Sequence, residues 1–198
     1  MNSSAAVKQY SQLMEDVKIR IATIMSLSAP PLKDKLPGPI QIESVYLQFR
    51  KILELIAMGS LLTNKELYAE AAADFAKHWH AGRILERLKS VNPHFYPQPV
   101  VDAGGNHLVP ASGGLTMEEF ADLYKACGRA LHSANPFGAP LDYRMFAGAV
   151  SGWLGKIIAL LNMHKLHFFN DDGFWLIQMK THESDLVHFY RFNPVATE

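Results

Sequence analysis

The segment that decides the fold is "IESVYLQFRKILELIAMGSLL", residues 42–62, which has the clearest helical period in the chain. Its apolar side chains recur at helical spacing and form one stripe, made of Val45, Phe49, Ile52, Leu53, Ile56 and Leu61. The charged side chains of Glu43, Arg50 and Glu54 fall largely outside this stripe. The pattern predicts a long amphipathic helix that buries one face against other helices.

Similar periodicity predicts four more helices around this one. They span about residues 4–27, 63–91, 116–131 and 141–163. Thr116 is followed three residues later by Glu119, which is the sequence signature of a capping box at the start of the fourth helix. The residues of this helix that we expect to face the core are Phe120, Leu123, Tyr124, Cys127 and Leu131.

The fifth predicted helix carries Gly148, Gly152 and Gly155 on one face. Glycine lowers helix propensity, so three glycines on one face need a structural reason. We expect this smooth face to allow another helix or a backbone segment to approach closely.

Strands are predicted in two places. Val100, Val101, Leu108 and Val109 flank a Gly-Gly-Asn turn, which indicates a short hairpin. After His164 the period changes to two, and "KLHFF", "FWLIQMK" and "LVHFYRF" read as three strands. The predicted fold is therefore mainly α, close to all-α, with about five helices in a bundle and a small C-terminal antiparallel β-meander. We expect one domain over residues 1–198, with the bundle at about 4–164 and the meander at about 165–193.

The overall composition restricts the partners and the location. Of 198 residues, 48% are hydrophobic and 19% charged, and Lys plus Arg equals Asp plus Glu. A neutral chain is not expected to bind long duplex DNA, although a local site for short RNA remains open. The start "MNSSAAVKQY" lacks the pattern of a secretory signal, and Lys156 interrupts the longest apolar run. A cytoplasmic protein without a membrane span is expected.

Neither a metal site nor a cofactor site is predicted. His78 and His80 are two residues apart and cannot share an ion on a helix, and His164 and His167 straddle a predicted helix end. The single cysteine, Cys127, falls on the predicted buried face, where a thiol is usually a small core residue. The chain also lacks a Gly-x-Ser-x-Gly elbow and a Walker-type phosphate loop.

Arginine and histidine near predicted helix ends form the remaining candidate sites. RNA cleavage without a metal requires a base for the ribose 2′-hydroxyl and a cation for the phosphorane charge. Arg129 and His132 share one face of the fourth helix, and Arg87 precedes His94 by seven residues. For each pair the alternative is structural: an exposed arginine near helix carbonyls, and a histidine that only ends a helix.

The segments "FRKILELIAMGSLL" and "LYKACGRALHSANPF" resemble bacterial HEPN-type helical proteins, over about residues 40–165. The block "KHWHAGRILERLKSVNPHFYPQPV" is also similar to part of a bacterial family of unassigned function. The HEPN resemblance implies a role in defence or stress, a homodimer, and metal-independent endoribonuclease activity at an Arg, four to six residues and a His. The pair Arg87 and His94 meets that spacing but contains a proline, and the pair Arg129 and His132 is too closely spaced.

Two alternatives remain beside the ribonuclease. The first is a non-catalytic interaction or dimerisation module that uses the aromatic meander as its contact surface. The second is a small-ligand pocket lined by Trp79, Tyr124, Tyr143 and Trp153. Whether the chain is an enzyme is therefore left open by its sequence.

Overall fold

The structure is a computed structural model that describes residues 3–29, 38–64, 85–86, 89, 92, 94–105, 107–133, 140–168 and 172–193. The long helices in this part of the chain are α1 (Ser3–Ser28), α2 (Gly38–Leu62), α3 (Met117–Leu131) and α4 (Tyr143–Leu161). The strands are β1 (Gln98–Asp102), β2 (Leu108–Pro110), β3 (Met163–Leu166), β4 (Phe174–Gln178) and β5 (His188–Phe192).

Helix α2 is the centre of the core, as its sequence predicts. It packs against α1 on one side and α3 on another, and it also contacts α4. The predicted stripe is fully buried at Phe49, Ile52, Leu53 and Ile56, whereas Leu61 is only partly buried. The helix begins at Gly38, four residues before the predicted start. Pro39 lies in its first turn, where backbone N–H groups make no hydrogen bond within the helix, so the missing N–H of proline is tolerated.

Helix α3 begins with the predicted capping box. The Glu119 backbone N–H donates to Thr116 Oγ1 at 3.2 Å, and the Thr116 N–H donates to Glu119 Oε2 at 3.0 Å. The prediction that Leu131 faces the core is wrong, because this side chain is 37% exposed on the last turn of the helix. The core-facing stripe therefore ends at Ala130.

Helix α4 contacts α2 and the sheet. The predicted close approach at its glycine face is not seen among the described residues, since a Cβ added at Gly148, Gly152 or Gly155 would meet nothing within 4 Å. These glycines are exposed. By length and composition α4 also meets the criterion for a membrane span, a test that core helices of soluble proteins pass as well.

The strands form one five-stranded antiparallel sheet in the order β2-β1-β3-β4-β5. The predicted hairpin is confirmed, with Val101 opposite Val109, and so are the three strands of the C-terminal meander. The sheet is larger than predicted because β1 pairs with β3, with Gln98 opposite Lys165. An all-α description is therefore wrong, although the fold remains mainly α with a C-terminal meander.

The described residues contain four long helices, not the five predicted. Most of the helix predicted over residues 63–91 lies outside the described part of the chain. Thr63 and Asn64, predicted to cap that helix, form a buried turn directly after α2.

Candidate functional site

One face of the sheet packs on the helices and the other points away from the main core. On the inner face, His164, Leu166 and Ile177 are buried, and the latter two belong to the main core. The alternation of strand side chains places their neighbours on the opposite face. We call this the outer face; it includes the buried Leu176 and the more exposed Gln98, Lys165, His167, Phe174, Tyr190 and Phe192, with His94 beside it.

Aromatic rings line one end of the outer face. Phe174 and Phe192, which are opposite each other on β4 and β5, stack with 4.9 Å between ring centroids and 2° between planes. The Nζ atom of Lys165 lies 4.5 Å from the centroid of Phe174, within cation–π range. The register of the sheet thus combines an ammonium group and stacked rings on a partly exposed surface.

Two histidines from distant parts of the chain meet at the edge of this cluster. The rings of His94 and His167 are 5.2 Å apart between centroids, with an angle of 40° between their planes. His167 also contacts Phe174, with centroids 5.9 Å apart. Because His94 precedes β1 and His167 follows β3, the pairing of these two strands brings the rings together.

Gln98 supports His94 through a hydrogen bond. The side-chain nitrogen Nε2 of Gln98 lies 2.9 Å from Nδ1 of His94, and no hydrogen bond engages Nε2 of this imidazole among the described residues. Rotation of the Gln98 amide exchanges a donor for an acceptor, so this residue can partner His94 in either protonation state.

A buried chain of amides fixes the backbone at His94. The His94 N–H donates to Asn92 Oδ1 at 2.9 Å, and Asn92 Nδ2 donates to Asn64 Oδ1 at 2.6 Å. Asn64 in turn donates to the Ser60 carbonyl at 2.8 Å and to Thr63 Oγ1 at 2.9 Å. This network connects the end of α2 to His94, and buried polar groups satisfied in this way hold one conformation.

Of the two predicted arginine–histidine pairs, the structure describes one residue of the first and both residues of the second. Arg87 lies outside the described residues, and His94 has His167 as its neighbouring ring. Arg129 is exposed and its guanidinium lies 5.8 Å from the ring centroid of Phe146. His132 is exposed just after α3, and its backbone N–H donates to the Gly128 carbonyl. Among the described residues no hydrogen bond joins Arg129 to His132, so this pair remains a prediction.

His164 and Cys127 are core residues. His164 is fully buried, with Nδ1 2.8 Å from the Leu161 carbonyl oxygen and Nε2 2.8 Å from the Tyr10 hydroxyl. Burial lowers the pKa of His164 to about 4. Burial also raises the pKa of the Cys127 thiol to about 12, with a smaller opposing effect of Arg50. A neutral thiol of this kind is a poor nucleophile.

Within the described part of the chain, no group of three or more His, Cys, Asp and Glu side chains could hold a metal ion. His78 and His80 lie outside that part. His164 and His167, considered together in the sequence, fall on opposite faces of the sheet.

His167, Lys165 and Gln98 were not predicted from the sequence as members of the candidate site. A signal for two of them was present, because "KLHFF" was predicted to be a strand, and alternation then places Lys165 and His167 on one face. The pairing of β1 with β3, which brings in His94 and Gln98, left no such signal.

Comparisons with known proteins identify no family for this chain. No protein-family model matches the chain, and neither a curated protein nor a solved structure matches it.

Proposed function

We propose that this chain binds short single-stranded RNA on the outer face of its sheet and cleaves it without a metal ion. The observation that carries the proposal is the contact between His94 and His167, with ring centroids 5.2 Å apart, beside Lys165 and the stacked Phe174 and Phe192. The HEPN-type resemblance implies the same chemistry, linked to defence or stress, but at arginine–histidine pairs.

Two imidazoles can supply both proton transfers that RNA cleavage needs. One neutral ring removes the proton from the ribose 2′-hydroxyl, and the 2′-oxygen then attacks the adjacent phosphorus. The bond from phosphorus to the 5′-oxygen breaks, and the second ring, protonated, gives its proton to that oxygen. The products are a 2′,3′-cyclic phosphate and a 5′-hydroxyl, so atoms and protons balance without a further reactant.

Lys165 and the aromatic rings supply the binding part of the proposal. The ammonium group of Lys165 and the ring of His167 both contact Phe174, and from this position Lys165 can stabilise charge on the phosphorane. Phe174, Phe192 and the 44% exposed Tyr190 present rings on which bases can stack. Stacking tolerates every base, so we expect weak sequence preference and a requirement for unpaired RNA.

The test is an RNA cleavage assay in excess EDTA with a fluorescent single-stranded oligonucleotide. We expect His94→Ala and His167→Ala each to reduce the rate by about 100-fold or more, as for loss of a general acid or base. His182→Ala is the matched control, because this exposed histidine lies in the loop between β4 and β5. Cleavage that both site variants retain in full would refute the assignment.

The same assay distinguishes the two predicted locations of the activity. If Arg129 and His132 carry the chemistry, His132→Ala loses cleavage while His94→Ala and His167→Ala keep it. A dependence on His94 alone among these variants would favour the predicted pair with Arg87 over the pair with His167.

A second candidate function is a dimerisation or interaction module, and the exposed edge strand favours it. β5 is at one end of the sheet as described, and its Phe189 and Tyr190 are 39% and 44% exposed; Leu186, two residues before the strand, is 66% exposed. An exposed apolar edge strand can pair with another chain. Size measurement in solution tests this: Tyr190→Lys should convert a dimer to a monomer, whereas a wild-type monomer at all concentrations would count against it.

A further inference from the structure

A groove between α3 and α4 lies apart from the histidine pair. Its volume is about 510 Å³, within the range of small-molecule sites. One wall carries Lys125 and Arg129 from α3, and the other carries Phe146 and Trp153 from α4. Tyr46 of α2 contributes to its floor and uses its hydroxyl to donate to the Phe146 carbonyl at 3.1 Å. Because Tyr46 and Phe146 are buried, the apolar surface open to a ligand comes mainly from Trp153 and the 53% exposed Met145.

The charges along the groove leave one cation to recognise a ligand. Asp122 also lines the groove, and its Oδ1 atom is 3.9 Å from Lys125 Nζ, so this carboxylate offsets the lysine. Arg129 forms no ion pair with a carboxylate among the described residues, and its guanidinium lies 5.8 Å from the Phe146 ring centroid. An arginine held over an aromatic ring offers a planar fork that fits a carboxylate.

We infer that this groove binds a small planar aromatic ligand that carries a single carboxylate. The ring would lie against Trp153 and Met145, and the carboxylate would take two hydrogen bonds from Arg129. A single carboxylate matches the charge of Arg129, because Asp122 and Lys125 offset each other. Trp153 was expected in a small-ligand pocket with Trp79, Tyr124 and Tyr143. Trp79 lies outside the described residues, and neither tyrosine lines this groove; the Tyr143 hydroxyl donates to Glu43 at 2.8 Å.

The experiment compares two probes of equal shape, 1-naphthoate and the neutral 1-naphthalenemethanol, by isothermal titration calorimetry. We expect the wild-type protein to bind 1-naphthoate about tenfold or more tightly than the alcohol. Arg129→Gln should remove this preference and leave the affinity for the alcohol unchanged. Trp153→Ala should weaken both probes, because stacking area is lost for each.

Arg144→Gln is the matched control, since Arg144 is an exposed arginine on α4 that does not line the groove. It removes the same charge and should keep the full preference for 1-naphthoate. The inference is overturned if 1-naphthoate does not bind, if the two probes bind equally to the wild type, or if Arg129→Gln keeps the preference. Equal losses in Arg129→Gln and Arg144→Gln would also overturn it, because they would indicate a general charge effect.

Discussion

Acid sensitivity of folding is the sharpest prediction about the core, and it comes from His164. The Leu161 carbonyl can only accept a hydrogen bond, so Nδ1 of His164 must carry the proton of the neutral ring. Nε2 then accepts from the Tyr10 hydroxyl. Protonation of Nε2 would remove that acceptor and place a charge in a fully buried site.

The size of the effect follows from the pKa of His164, which burial lowers from 6.5 to about 4. The unfolded chain binds a proton at this residue near pH 6.5, while the folded chain stays neutral down to about pH 4. The free energy of unfolding therefore falls as the pH drops through this window, by about 3 kcal/mol in total. Above about pH 6.5, His164 is neutral in both states and the free energy of unfolding no longer changes with pH because of it.

The assay is urea denaturation followed by circular dichroism between about pH 7 and pH 4, for the wild type and His164→Gln. Glutamine does not titrate in this range, so the difference between the two curves isolates His164 from the carboxylates. We expect the wild type to lose about 3 kcal/mol more than His164→Gln over this range. His107→Gln, which replaces an exposed histidine, should follow the wild-type curve. Parallel curves for the wild type and His164→Gln would refute the buried neutral imidazole.

Three further substitutions test other contacts. Gly59→Ala should destabilise the protein by about 1–3 kcal/mol in urea denaturation, because the new Cβ would lie 2.5 Å from Cε2 of the buried Tyr10 ring; no change would show that the ring moves freely. Thr116→Ala should cost about 1 kcal/mol in the same measurement through loss of the capping box, and a stability equal to the wild type would contradict that. Asn92→Leu should cost about 1–3 kcal/mol, because it leaves the Asn64 side-chain oxygen without its donor, and retained stability would show that water replaces that donor.

The sequence predicted those parts of the fold that local patterns determine. The apolar period of α2, the capping box at Thr116 and the turn between Val101 and Val109 each depend on neighbouring residues, and each is confirmed. The prediction for Leu131 failed because helical period continues past the point where α3 leaves the core.

The candidate site depended on long-range pairing, and the sequence therefore revealed only half of it. His94 was predicted, but with Arg87 as its partner, since those two residues are close in the chain. Its neighbour in the fold, His167, is brought there by the pairing of β1 with β3. No local pattern specifies which strands pair across such a distance. The groove at Arg129 likewise depends on the packing of α3 and α4 against α2.

The pH dependence of RNA cleavage tests the proposed function most directly. We predict a bell-shaped profile of kcat/KM in EDTA for the wild type, with one limb set by the histidine that acts as base and the other by the histidine that acts as acid. His94→Gln should remove one limb and His167→Gln the other, which also assigns the two roles. Absence of cleavage by the wild type, or a bell shape that persists in both variants, would contradict the account.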